Sequence, residues 1–470
     1  MKKRIVNYPC KQLFIPIPKL KLYEFVSGDK VQTINGNKMP FMTWPDGTPC
    51  LLANAWLIRM RSQSGRGGEG PSLVGSKGGS FGDYASKISH LIRFCYYNRI
   101  NLISLSDDDF YEFIDGLRAE KKLNKPEEQK RSERTITSIG RRCLSFLHFV
   151  GELNGFQNFV GIEGNISIKM IDSTGYRNGV AFKRSSVHHR SFRKAGPKKR
   201  RKPIAEATID AMRTAINEMS TSDFLCSRRQ LMISLFEELG GRRREIKRLK
   251  VEDIMAAAAI EKPKLKLTTL KRGGNITRLI RISPPLLAEL LHYIRVDRRK
   301  IIKKTIPRSD HGYLFINERG GAPLKTDSFT AEFRKIRSAA GLEVQVCAHL
   351  FRHAFCTNVV ASLIAETEAL SPDSFRLMMM TNTTLADAAM TETGHSTLEG
   401  LLTYVDDAFK RRLKFGEIVS NVESAKIHRS YERRRKHLLD DFKAGRISKE
   451  EYITREEILT KDRDENVFED

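Results

Sequence analysis

LGGRRREIKRLKVEDI, residues 239–254, places Arg242 directly after a double glycine and trails it with Glu245, Ile246, Leu249 and Asp253. Two further islands lie downstream. The first is HLFRH at 349–353; the second is GHS at 394–396, with Tyr404 nine residues after His395. Each alone is a string that arises often in basic proteins. Their order and joint spacing make coincidence a poor account of all three.

The chain around these islands has 470 residues, too many for one ordinary core, so two or three domains are expected. Against 56 Asp and Glu stand 82 Lys and Arg, a formal net charge of +26. Such an excess calls for a polyanionic partner. Nucleic acid is favoured over a membrane, because no stretch approaches the roughly 18 apolar residues of a spanning helix. The opening MKKRIVNYPCKQLFIPIPKLKL has the basic start of a signal peptide without a continuous apolar region behind it. The chain therefore reads as cytoplasmic and DNA-associated. Seven scattered cysteines without a C-x-x-C pair exclude a disulfide framework and a cysteine-rich zinc site.

Five segments are predicted. Residues 1–75 form an N-terminal extension, irregular or β-rich, with turn signals at Asn35-Gly36 and Asp46-Gly47. Residues 76–160 form a helical, DNA-binding domain carrying three amphipathic stretches; Ser106 caps the second, and Asp107 to Asp109 complement its dipole. Residues 161–204 form a basic linker. Its part KRSSVHHRSFRKAGPKKRRK (183–202) contains no acid, cannot pack on itself, and supplies Lys198, Lys199, Arg200, Arg201 and Lys202 as DNA-backbone contacts. Residues 205–415, a domain that holds all three islands and becomes the catalytic one if they act together, carry a hairpin at KLKLTTLKRGGNITRLIRIS, and 416–470 are a charged helical tail broken at Gly445. The fold class is mainly α with a small antiparallel sheet, in several domains.

The three islands resemble the tyrosine recombinase (phage integrase) family, with its G-x-R-x-x-E-[LI]-x-x-L, H-x-L-R-H and G-H followed by tyrosine. The resemblance implies catalytic roles for Arg242, His349, Arg352, His395 and Tyr404, and for Lys271 as the lysine of a mobile β-hairpin, with Lys266 as a lesser alternative. Glu245 becomes a buried orienting partner. It also implies a site-specific recombinase that cuts and rejoins double-stranded DNA through a 3′-phosphotyrosine, as a homo-tetramer on a four-way junction. Accessory proteins are candidate further partners. Integration, excision or transposition of a mobile element is the implied setting, and neither metal nor cofactor is called for. This sequence departs from the family at Phe351, usually leucine; in MTET before Gly394, usually apolar; in a long tail; and in an extra stretch, IAETEALSPDSFRLMMMTNTT (364–384), which separates Arg352 from His395 and suits contact with another subunit.

The residue types fit the chemistry independently of the family. A phosphodiester attacked in line passes through a crowded, doubly negative state that needs fixed cations around its oxygens. Arginine supplies a planar, permanently charged fork. A phenol with an ordinary pKa near ~10 must shed its proton as it attacks, and the leaving 5′-oxygen needs an acid, for which Lys271 is the choice, with His395 beside the phosphate. The bland alternatives are a surface Arg242 and a helix-packing Tyr404. His349 and His353 have zinc-helix spacing, but Leu350 stands where a metalloprotease needs glutamate. Two rival functions use similar residues: a type IB topoisomerase relaxing DNA as a monomer, and a DNA-binding protein of the same fold without activity.

Overall fold

The computed structural model describes residues 11–28, 30–62, 71–73, 78–177, 180–197, 202–269, 276–414 and 422–467. Over these residues the protein is mainly helical, with two-stranded sheets. It forms two compact units, Met1–Tyr176 with Ala181–Lys199, and Arg177–Val180 with Arg200–Asp470.

In the first unit β1 (Phe14–Pro16) pairs antiparallel with β4 (Pro40–Met42), and β2 (Lys21–Ser27) with β3 (Lys30–Asn35). A helix, α1 (Leu51–Arg61), follows and corrects the β-rich or irregular reading of this region. Its Ala53, Trp56, Leu57 and Met60 recur at helical spacing and are all buried. They join α2 (Gly79–Asn98), α3 (Asp107–Ala119) and α4 (Glu133–Leu153) in one core, with Leu13, Phe14 and Met42. The segment predicted as a separate extension thus shares the helices' core. The helix α3 begins with a capping box: Ser106 Oγ accepts from the Asp109 N–H at 3.1 Å, and Asp109 Oδ2 accepts from the Ser106 N–H at 3.0 Å. Two short pairs complete the unit, β5 (Lys121–Lys122) antiparallel to β6 (Lys125–Gln129), and β7 (Val160–Gly161) parallel to β8 (Ile166–Ser167).

The basic linker predicted over 161–204 is structured well into its length. Within it β9 (Lys169–Arg177) and β10 (Val180–His188) form a ribbon, after which His189 and Phe192 enter the first unit's core. His189 is fully buried, its Nε2 2.8 Å from Asp107 Oδ1 and its Nδ1 2.7 Å from Ser191 Oγ. Arg118 donates to the Ser191 carbonyl at 2.9 Å while pairing with Glu133. Composition concealed this anchor. The cations Lys183, Arg184, Arg190, Arg193 and Lys194 are exposed, while the neutral residues between them pack.

The second unit runs through α5 (Glu206–Met219), α6 (Asp223–Leu239), α7 (Arg243–Arg248), α8 (Val251–Ala258), the antiparallel hairpin β11 (Lys264–Thr269) and β12 (Ile276–Arg281), α9 (Pro284–His292), a π-helical turn (Tyr293–Arg298), α10 (Arg299–Thr305) and α11 (Thr326–Ala339). It continues with α12 (Ala348–Glu366), α13 (Pro372–Thr381), α14 (Thr383–Thr393), α15 (Leu398–Leu402), α16 (Val405–Lys414), α17 (Val422–Lys443) and α18 (Lys449–Val467).

The helix α12 is shared by two apolar cores. Phe351 and Ala354 belong to the core built with α5 to α11, whereas Phe355, Val359, Val360 and Ile364 belong to the core built with α13 to α16. A helix buried on two sides shows little of the one-sided pattern that marks a surface helix. The family's usual leucine is replaced at Phe351 by a ring that lies 5.5 Å from Phe333 and 6.4 Å from Phe236, centroid to centroid. Truncating such a side chain costs about 3–5 kcal/mol.

The extra stretch before His395 becomes α13. Phe375 and Met379 bury into the second core, and Arg376 pairs with Asp406 of α16. This insertion therefore packs within its own unit. So does the tail: Arg433 of α17 grips Glu237 of α6, with Nη1 2.8 Å from Oε2, and Tyr431 and Leu438 are buried. Among the described residues no helix is long and apolar enough to cross a membrane.

Candidate active site

The site grows from two helix ends. Leu239 closes α6, and Gly240 turns the chain at φ +53°, a left-handed conformation that glycine adopts without strain. A Cβ at Gly240 would fall 2.3 Å from Phe355 Cδ1, so the close approach of α12 forbids a side chain as well. Two residues later Arg242 is the N-cap of α7, its N–H donating to Glu245 Oε2 at 2.9 Å. The same Arg242 sends Nη1 to Glu245 Oε1 at 2.8 Å.

The second end is that of α14. Helix C-terminal carbonyls lack intrahelical donors, and here three consecutive ones are met by three guanidiniums from three different elements. Glu392 O accepts from Arg278 Nη1 at 3.0 Å, Thr393 O from Arg352 Nη2 at 2.6 Å, and Gly394 O from Arg242 Nη2 at 3.3 Å. Gly394 lies at φ +65°, and a Cβ on it would come within 2.4 Å of Arg278 Nη1. Arg352 also donates to the Gly240 carbonyl at 2.9 Å, which ties the two helix ends together.

Three arginines against one carboxylate, Glu245, leave this cluster two positive charges in surplus (3 − 1). Glu245 is 2 % exposed and binds both Arg242 and Arg278, the latter at 3.2 Å. Arg278 and Arg352 are buried as well, whereas the Arg242 side chain keeps 29 % of its surface open. Burial pushes the Arg278 guanidinium down to about 10, with Glu245 opposing and the other arginines adding to the fall. All three remain cations at neutral pH.

His395 follows Gly394 and is held by a threonine. Its Nδ1 lies 2.8 Å from Thr393 Oγ1, whose own proton goes to the Ala389 carbonyl at 2.7 Å. Nδ1 therefore carries the ring proton, and Nε2 carries the lone pair. The polar residue at 393, a departure from the family pattern, is fully buried and orients the ring. Burial first, then Arg352, Arg242 and Arg278, hold the imidazole down at about 3, so it is neutral.

Tyr404, 6 % exposed, ends the short turn after α15, and its ring lies 5.6 Å from His395 and 5.2 Å from His353. Its hydroxyl shares a hydrogen bond with the Cys356 side chain. Burial raises the phenol above its ordinary value, against the pull of Arg352 and Arg242. His353 in turn meets His349 with the two Nε2 atoms 3.1 Å apart, and His349 is exposed.

Of the residues singled out in the sequence, Arg242, Glu245, Arg352, His395 and Tyr404 thus gather in one place, with His349 reached through His353. Lys271 lies outside the described residues, as do Lys198, Lys199, Arg200 and Arg201; Lys202 is exposed. Lys266 is exposed on β11, opposite Leu279. Sequence reasoning missed Arg278, Thr393 and Cys356 and gave His353 no part in the reaction. Arg278 had a readable signal: along β12 and the residue after it the inward positions alternate as Arg278, Ile280 and Ile282, and a cation in such a row demands a buried partner.

A permanently charged, partly open cluster beside a buried tyrosine and a neutral imidazole defines a centre suited to phosphoryl transfer onto a protein side chain. Residues 196–366 match the family described as the Phage integrase family, a span that includes Arg242, Glu245, Arg278, His349 and Arg352 and stops before His395 and Tyr404. Over this segment, little more than a third of the chain, the sequence is similar to that family. No relative among curated proteins matches it. Similar solved structures include a XerH site-specific recombinase bound to difH substrate, with 14 % identity and a TM-score of 0.45 over 72 % of this chain and 80 % of that one. Another is a lambda integrase tetramer bound to a Holliday junction, with 14 % identity and a TM-score of 0.43 over 78 % and 79 %. A third is the Tn1549 transposon integrase with transposon right end DNA, with 15 % identity and a TM-score of 0.41 over 78 % and 99 %.

Proposed function

We propose that this protein is a site-specific DNA recombinase that cleaves and rejoins duplex DNA through Tyr404, acting inside the cell as a homo-tetramer on a mobile element's ends. The observation that carries the reading is the arginine cluster with its two surplus positive charges, set against the C-terminus of α14 one short helix away from a buried tyrosine. A doubly negative phosphorane-like state matches that surplus.

In the proposed step the Tyr404 oxygen bonds to phosphorus, the bond from phosphorus to O5′ breaks, and the 5′-hydroxyl leaves with a proton from Lys271. Arg242 and Arg352 hold the non-bridging oxygens, with His349 at the open side. The sequence alone sets His395 beside the phosphate. With Nδ1–H committed to Thr393, its Nε2 is left with the lone pair and can accept the Tyr404 proton once the negative charge of a bound phosphate offsets the surrounding arginines that hold the ring's basicity down. The phosphotyrosine keeps the bond energy, and a second 5′-hydroxyl reverses the step to rejoin. Joint molecules between two duplexes support recombination; relaxation of supercoils without them supports the topoisomerase.

Two tests address Lys271 and the basic segment 198–202. Lys271→Ala is expected to slow cleavage by about 10²-fold or more with DNA affinity nearly intact, the range for a missing general acid. A 5′-bridging phosphorothioate, whose sulfur leaves without a proton, is expected to restore most of the rate. Failure of that rescue transfers the role to another group. For the segment 198–202, neutralising Lys198, Lys199, Arg200, Arg201 and Lys202 is expected to weaken specific and random duplexes alike. It flattens the salt dependence of log K by about 0.9 for each DNA phosphate that the segment no longer neutralises. An unchanged slope removes this segment from the DNA interface.

A further inference from the structure

We propose that Arg278 is a positioning residue of the cleavage site, which sets Arg242 through Glu245 and the His395 ring through the terminal carbonyls of α14. The proposal rests on the recombinase reading above. Arg278 is 8 % exposed on the inward face of β12, in line with Ile280 and Ile282. A strand position of that kind is most readily filled by an apolar side chain, and a buried ion pair is often no more stable than its hydrophobic replacement. Its Nε is buried with no partner among the described residues, a further destabilising feature. A cation retained in spite of these penalties calls for a task other than packing.

The bonds define that task. Nη2 meets Glu245 Oε2, the same carboxylate that fixes Arg242, and Nη1 meets the Glu392 carbonyl two residues before the glycine that precedes His395. Gly394 has no room for a side chain because Arg278 occupies it, so moving either displaces the backbone that carries the imidazole. Arg278 also faces His395 electrostatically. The other charged or titratable groups around that ring are Arg242 at the start of α7, Arg352 and His353 of α12, and Tyr404. Arg278 thus connects both sides of the site, and it does so from the strand that returns from the segment bearing Lys271.

The test uses the full chain with ¹⁵N-labelled histidine and two variants, Arg278→Met, neutral and of similar length, and Arg278→Lys, charged but unable to fork. The His395 signal is assigned by its disappearance in His395→Asn. In Arg278→Met, adduct formation on a nicked duplex is expected to fall about 10²-fold, the effect of misplacing a group by around an ångström, with DNA affinity within about threefold. The His395 midpoint is expected to rise from about 3, because a nearby cation that disfavoured the imidazolium has gone. Arg278→Lys is expected to fall between Met and the native chain in both readouts, and it carries the rate comparison if Met does not fold. An adduct rate within about threefold of native, with His395 unmoved, overturns the proposal, as does a fall in rate wholly matched by weaker DNA binding. Should the native chain form no adduct, the recombinase reading fails. The His395 titration needs no DNA and still decides whether Arg278 governs that ring.

Discussion

Tyr404→Phe is expected to abolish the covalent protein–DNA adduct while leaving the fold and DNA binding intact. Incubated with a suicide duplex, the native chain should be trapped on a 3′-phosphate with release of a 5′-hydroxyl, and EDTA should make no difference. The phenylalanine variant lacks the attacking oxygen alone. Its ring can still pack beside His353 and His395. The hydrogen bond to Cys356 disappears as well, a change of about 0.5–1.5 kcal/mol that a thermal unfolding curve can register without loss of the fold. Adduct on the variant, or peptide mapping to another tyrosine such as Tyr431, would remove Tyr404 from the reaction. Cleavage that depends on added magnesium would count against the whole mechanism.

The second large effect separates two arginines that the motif treats alike. Arg242→Ala is expected to reduce cleavage by about 10²–10³-fold, the scale for removing one transition-state donor, with modest loss of stability. Its side chain is partly open, and Glu245 keeps Arg278 as a partner. Arg352→Ala should forfeit the same catalytic contribution and unfold more easily. It leaves two carbonyls without their donor, Gly240 O and Thr393 O, at about 1–3 kcal/mol for each that stays buried and unpaired. Single-turnover cleavage and thermal unfolding, measured side by side, distinguish the two. Equal unfolding midpoints for both variants would mean that the Arg352 clasp between the helix ends contributes nothing to the fold.

The polar residue before Gly394 illustrates how a departure from a pattern acquires meaning in three dimensions. Read along the chain, Thr393 is a lapse in apolar packing. In the fold it is the hydroxyl that fixes which nitrogen of His395 bears the proton, leaving Nδ1 as the donor and Nε2 as the acceptor. Likewise, the stretch between Arg352 and His395, long enough to suggest a surface for another subunit, folds as α13 with one face packed onto its own unit through Phe375, Met379 and Arg376, while Leu377 and Met380 stay exposed.

The proposed reacting groups, and the order in which the chain supplies them, are legible in the sequence alone. Short motifs report residue types that chemistry cannot exchange: a forked cation, a phenol, an imidazole, and the glycines that let backbones approach. Amphipathic spacing likewise located α2, α3 and α4, because periodicity is a property of one helix and its single buried face. It failed for α12, whose two faces are both buried, and for the 183–202 block, where exposed cations outweighed the few neutral side chains that anchor it. It passed over α1, whose apolar spacing was present but was absorbed into a β-rich reading. Folding alone brings Arg278, 36 residues beyond Arg242 in the chain, to the same carboxylate, and makes three guanidiniums converge on one helix end. A buried charge is stable only where distant elements bring it a partner, and no local feature of the sequence states which partner that will be.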